Sequence, residues 1–174
     1  MLMTKTVIII GIAATLILTG CDQVDPTVGY SSQSLYRTDM HTVYVEMFQS
    51  ESFQRGLEFE LTRALAQQIE LKTPYKVVSD RRKADTIIYG RIDRISENTL
   101  IQQRELDRPL ANEVVLVATV TWQDRRDGDL ILDGQKIRVA GDYIALLGAG
   151  RDSAAKQAAH EAALRIVEAM QKVW

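Results

Sequence analysis

The amino-acid sequence predicts an α+β fold: two amphipathic helices packed on one face of a mainly antiparallel four- to five-stranded sheet. Three observations carry that expectation. Apolar residues recur every three to four positions from residue 53 to 72 and again from 153 to 173, the period of a helix with one buried stripe. Several stretches alternate β-branched or aromatic residues with polar ones, the period of a half-buried strand. The order strand, helix, three or four strands, helix allows both helices to cover one sheet face and leaves the other to water or a partner.

The elements follow in order. Thr42 to Phe48 (TVYVEMF) reads as a strand, and Gln49 to Ser52 as a turn in which Ser50 or Ser52 caps the next helix. Phe53, Leu57, Leu61, Ala64, Leu65 and Ile69 form that helix's stripe, and Thr73-Pro74 stops it. Tyr75 to Val78 is a short strand and Ser79 to Asp85 a polar connector. Thr86 to Ser96 and Asn112 to Gln123 are long strand candidates, while Glu97 to Ala111 has no clear period and reads equally as a long loop or an irregular strand end. Asp124 to Asp129 has Asp-Gly at its core and turns the chain into Leu130 to Val139 as a hairpin. After the glycine-bearing, partly apolar stretch 141–150, the last helix carries Ala155, Ala159, Ala162, Ile166, Met170 and Val173 on one stripe, and its alanines let it lie close to a sheet.

Ahead of this domain, Lys5 and the apolar run Val7 to Leu18 read as an export signal, too short to span a membrane, which takes ~20 apolar residues. The run ends in Leu18-Thr19-Gly20-Cys21, which resembles the lipobox of bacterial lipoproteins. Residues 1–20 are therefore expected to be a signal peptide, 21–40 a tether lipidated at Cys21, and 41–174 a single domain. Pro26, Gly29 and several serines mark the tether as irregular, although Tyr30, Leu35 and Tyr36 allow its last third to dock on the domain. Cys21 is the chain's one cysteine, so no internal disulfide can form, and lipidation removes a thiol that would be a liability in an oxidising compartment. Each buried methylene of an attached chain adds ~0.8 kcal/mol of membrane affinity, so more than one chain gives stable anchoring.

Removing residues 1–20 takes away Lys5 and no acid, leaving 20 basic against 23 acidic residues, a net of −3. That balance argues against nucleic acid as a partner, since phosphate neutralisation requires a basic excess. His41 and His160 are the only histidines, and neither has the neighbours of a nucleophile–base pair or a metal site; no phosphate-cradling glycine loop is present, and no enzyme activity or cofactor is expected.

The lipobox at Cys21, the segment Gly29 to Tyr36, Val43-Tyr44-Val45 with Phe48, Gly56-Leu57-Glu58-Phe59-Glu60-Leu61-Thr62, Ala84-Asp85 leading to Gly90-Arg91-Ile92, and the closing alanine-rich helix ending in Trp174 together resemble the lipopolysaccharide-assembly lipoprotein family, LptE. The resemblance spans nearly the whole chain after Cys21. It implies an outer-membrane lipoprotein on the periplasmic side that plugs the lumen of a large β-barrel partner, LptD, assists its assembly and helps deliver lipopolysaccharide to the outer leaflet. Asp22 departs from the simplest form of that expectation, because an aspartate after the lipidated cysteine is associated in some bacteria with retention at the inner membrane.

Basic residues lie at Arg81-Arg82-Lys83, at Arg91 and Arg94 on one strand, at Arg125 and Arg126 beside the hairpin tip, and at Lys136 and Arg138 on one face of the next strand. Guanidinium groups bind phosphate by charge-assisted, often bidentate hydrogen bonds, which suits the phosphorylated sugar head of a lipopolysaccharide. Arg91, Arg94, Lys136 and Arg138 are the candidate contacts. The intervening Asp80, Asp85, Asp93, Asp124, Asp127 and Asp129 fit equally a plain, mixed-charge soluble surface. Other periplasmic lipoprotein adaptors, such as an activator of cell-wall synthases or a subunit of a secretion pore, share the outline "strand, Phe, polar turn, amphipathic helix".

Overall fold

The computed structural model describes residues 34–50, 55–103, 108–143 and 150–171. The signal peptide, Cys21, Asp22 and most of the tether lie outside the described residues, as do Ser52, Phe53, Val173 and Trp174. The elements are β1 (Thr42–Val45), β2 (Gln49–Ser50), α1 (Leu57–Lys72), β3 (Lys76–Val77), a 3-10 turn (Arg81–Lys83), β4 (Thr86–Gln103), β5 (Arg108–Asp124), β6 (Leu130–Tyr143) and α2 (Arg151–Ala169).

Six strands form one sheet in the order β3-β1-β4-β5-β6, with β2 also paired to β4. Along most of its length the sheet is antiparallel, through the long β4–β5 and β5–β6 ladders. β1 instead runs parallel to both β3 and β4, and β2 parallel to β4. The α1 crossover explains the β1–β3 pairing, since parallel neighbours need a connection long enough to return the chain to the same end of the sheet. Both helices pack on one face, as the two periodicities predict.

Two local expectations change, and one open alternative is decided. The strand anticipated at Thr42 to Phe48 breaks after Val45, because Phe48 turns inward to cover Gly90, where a side chain would collide with the Phe48 ring and the Thr119 carbonyl. Gln49 and Ser50 are strand β2 instead of a turn, so Ser50 does not cap α1; the helix begins after Gly56, whose φ of 98° lies in the left-handed region that glycine enters at little cost. The stretch without a period, 97–111, is largely ladder: Asn98 pairs with Glu113, Thr99 with Asn112 and Gln103 with Arg108. It runs past the end of β6, whose last partner is Asn112 opposite Tyr143, as a two-stranded ribbon.

The core lies between helices and sheet. Leu61, Leu65 and Ile69 of α1, Ile166 and Met170 of the C-terminal helix region, and Ile88, Ile92, Leu116 and Trp122 of the sheet are all under 3% exposed. Each large apolar side chain so buried contributes about 1.5–3 kcal/mol. Six alanines of α2, Ala154, Ala155, Ala158, Ala159, Ala162 and Ala163, are buried, which brings that helix close to β5 and β6. Gly141 of β6 meets it without a side chain; a Cβ there would collide with the Ala154 carbonyl.

The chain enters the domain through a clamp. Tyr36 stacks edge-on against Tyr75, which packs against Trp122. Asp124, with a side chain 3% exposed, accepts hydrogen bonds from the Arg126 backbone and guanidinium, and Arg126 also reaches the Asp39 carboxylate at 3.2 Å and the Asp39 carbonyl. The Arg126 hydrogen bond is the main reason the Asp124 carboxyl is held below the ordinary carboxylate range. Asp85 accepts the backbone N–H groups of His41 and Thr42 at 2.9 Å each and so fixes the start of β1.

Two consequences can be measured. Gly141→Ala should push α2 off β6 and destabilise the fold by about 1–3 kcal/mol in urea unfolding. Because the folded-state value of Asp124 lies below the unfolded ~3.9, its pairing adds stability that is fully present above about pH 4 and is lost as pH falls through the folded value. Asp124→Asn should therefore lower stability at pH 7, and its gap from the parent should shrink on acidification to pH 2; a gap that stays constant with pH would remove the charge from the explanation.

Candidate functional site

Arg91 and Arg94 stand three apart on β4, a spacing that in a regular strand sends them to opposite faces. A β-bulge at Asp93 reverses that. Ile92 pairs with Ala118, but the next pair is Arg94 with Val117, so the register slips by one residue. Ile92 faces the helices and is fully buried, while Arg91 and Arg94 both end on the opposite face, exposed.

The ladders complete the arrangement. Arg91 is opposite Thr119, which is opposite Lys136; Arg94 is opposite Val117, which is opposite Arg138. All four predicted cations therefore occupy two adjacent rows of one face, on the two strands that flank β5. At ~4.8 Å per strand, the Cα atoms in a row lie roughly 10 Å apart, a gap that two long basic side chains can close on one anion. Lys136 and Arg138 are exposed as well. Arg138 also borders a groove between β6 and α2, against Gln157, Glu161 and Arg165.

Asp93 sits inside this square. Its carboxylate accepts from Arg91 Nε at 2.8 Å and from the Thr119 hydroxyl at 2.6 Å. Burial pushes its pKa up, but the hydrogen bonds from Thr119 and Arg91, with the charges of Arg91 and Lys136, outweigh that and leave it lowered. The bulge residue thus orients Arg91 and offsets one of the four positive charges. Asp93 has no marker in the sequence beyond its place between two arginines at an odd spacing.

Beside Arg91 a groove of about 290 Å³ opens, lined by Glu46, Met47, Gln49, Tyr89, Thr119 and Thr121, with Gly90 in its floor. The groove lies opposite the break between β1 and β2, where Tyr89 is half-buried. Neither Tyr89 nor Met47 was marked by the sequence.

Four of the other basic residues are engaged otherwise. Arg125 donates to the carbonyls of Arg82 and Ala84, Arg126 holds the clamp, Arg81 pairs with Glu46 at 3.6 Å and Arg82 with Asp80 at 3.4 Å. His41 and His160 are exposed. Among the described residues no cluster of His, Cys, Asp and Glu could hold a metal ion, and no helix is long and apolar enough to cross a membrane.

A family model described as lipopolysaccharide-assembly, LptE, matches residues 40–170. No curated protein matches the chain. Among solved structures, the chain is similar to the uncharacterized lipoprotein B from Nitrosomonas europaea, with a TM-score of 0.53 at 18% identity over 80% of this chain and 86% of that one. It is also similar to the rare lipoprotein B from Shewanella oneidensis, with a TM-score of 0.50 at 17% identity over 75% and 93%. A PelC dodecamer variant from Paraburkholderia phytofirmans gives a TM-score of 0.50 at 10% identity over 83% and 96%. At these identities the three structures speak to the fold.

Thr119→Val tests the internal wiring of this face. Loss of the hydroxyl should move the Asp93 titration, followed by carboxyl NMR shifts, upward toward the ordinary value of ~3.9; an unmoved titration would mean that Thr119 does not hold the carboxylate.

Proposed function

Because the chain belongs to the LptE family of lipopolysaccharide assembly, we propose that it is the lipoprotein subunit of an outer-membrane translocon. In this reading it is anchored through lipid on Cys21 at the periplasmic side, plugs and supports an LptD-like β-barrel, and helps pass lipopolysaccharide to the outer leaflet. The work is binding and positioning, without catalysis. The observation that carries the reading is the family match over residues 40–170, three-quarters of the chain.

The open face supplies the chemistry. Arg91, Arg94, Lys136 and Arg138 are proposed to engage the phosphates of the lipopolysaccharide head, the arginines by paired N–H donors and the lysine as a point charge. Asp93 keeps Arg91 extended along the sheet before cargo arrives.

Affinity purification of the lipidated protein from outer membranes in mild detergent, with co-eluting proteins identified by mass spectrometry, should recover a large β-barrel in near-equal amount. The double variant Arg91→Glu with Lys136→Glu should retain the barrel and lose most lipopolysaccharide binding. Recovery of a cell-wall synthase, a ring of the protein itself or no partner would overturn the assignment.

A further inference from the structure

A second groove of about 580 Å³ runs between α1 and the outer edge of β1 and β3, with Tyr44, Val45, Phe59, Ala66 and Val77 among its walls. Phe59 is 56% exposed on α1 and Met47 is 52% exposed, a large amount of apolar surface for two neighbouring side chains beside a groove. β3 covers β1 only at Thr42 and Val43, so the sheet edge beside Tyr44 and Val45 has no strand across it. Arg63, Gln67 and Glu70 supply the polar rim.

Met47 borders this groove and also the smaller groove beside Arg91. The protein surface therefore offers, in sequence, a cationic square, an aromatic and hydroxyl-bearing groove at Tyr89, Thr119 and Thr121, and an apolar slot. That succession matches one kind of molecule: an amphiphile with phosphate on a glycan head and acyl chains attached to it.

We propose that the groove between α1 and β1 holds an acyl chain of the same phosphoglycolipid whose phosphates meet Arg91 and Lys136, with its sugar against Tyr89 and Met47 as the ridge over which the chain passes. This rests on the phosphate-binding role assigned above. Sugar rings present apolar C–H faces that pack on an aromatic ring, and Thr121, whose oxygen accepts from the Gly134 backbone at 3.3 Å, keeps its hydroxyl proton available to a ligand oxygen. An acyl chain fits the apolar slot because its burial removes hydrocarbon from water together with the exposed faces of Phe59 and Met47.

The test uses the full lipidated chain in nanodiscs and two soluble probes: a bisphosphorylated diglucosamine bearing short acyl chains, and the same glycan without them. The parent protein should bind the acylated probe about tenfold more tightly than the bare glycan. Phe59→Ser, which deletes a wall, and Ala66→Gln, which fills the slot, should each remove most of that advantage and leave the affinity for the bare glycan unchanged. Both sites are on the outer side of α1, and unchanged thermal unfolding would show that the fold is kept. Arg91→Glu should weaken both probes. Equal affinity of the parent for the two probes, or groove variants that bind the acylated probe normally, overturns the acyl groove while leaving the phosphate site standing. Sensitivity to the groove variants with indifference to Arg91→Glu keeps the groove and removes the phosphate site; binding of neither probe removes both.

Discussion

The structure depends on the long antiparallel ladder between β4 and β5. Thr86 to Gln103 pairs with Arg108 to Asp124; β1 and β2 attach to β4, β6 attaches to β5, and β3 joins through β1. Backbone pairing of this length leaves little freedom of register, because a slip of one residue would send a whole apolar set, Ile88, Ile92, Leu116, Ala118 and Val120, to the wrong face. The ladder nonetheless slips near its middle, at Asp93, as it does again beyond Thr99, and the buried residues on both sides of Asp93 still face the helices. A single extra residue thereby converts one strand's mixed charges into two cations on the same side. The same bulge holds the carboxylate that orients one of them.

Close approach is the second constraint, and it follows from the first. A sheet whose helix face is filled by large aliphatics and Trp122 can accept a second layer at short distance only where that layer is made of small residues. α2 meets this with its alanine face and β6 with Gly141. α1 is built differently, with Leu57, Leu61, Leu65 and Ile69 as its buried stripe, so it stands further toward the β1 edge and leaves a slot beside that edge. The asymmetry between an alanine helix and a leucine helix thus places the tight packing at β6 and the open groove at β1.

Both helices and the three long strands were legible because each obeys one local period, and the helix stripes predicted at Leu57 to Ile69 and Ala155 to Met170 are the buried ones. The parallel pairing of β1 was not legible, since nothing in a four-residue strand records which distant strand it will join. The stretch 97–111 lost its period because its described residues past Thr99 form a ribbon beyond β6, where no third strand among the described residues imposes alternation. In the candidate site, Lys136 and Arg138 share a face by simple parity, whereas Arg91 and Arg94 come together only through the bulge. A spacing of three between like residues on a strand, with a carboxylate between them, is a signal that becomes readable only when the partner strand is known. Tyr89 and Met47 carried no signal, because the break between β1 and β2 that they border is not recorded in a local period.

The acid within the cationic square fits the task proposed for it. Four unopposed cations on one face would hold a phosphate tightly and would repel one another in the empty protein, costing stability through like-charge contact. Asp93 relieves that repulsion and must be displaced, at least from Arg91, for the guanidinium to turn fully toward an anion. Binding then exchanges one charge-assisted hydrogen bond for another, which keeps the net affinity moderate. A protein that hands its cargo onward is served by that exchange, since release is the reverse step and Asp93 stands ready to take Arg91 back. The proposed acyl slot would work in the same direction: lined in part by exposed side chains such as Phe59 and Met47, it would shield a chain from water without enclosing it. Moderate grip on both ends of an amphiphile favours passage over storage.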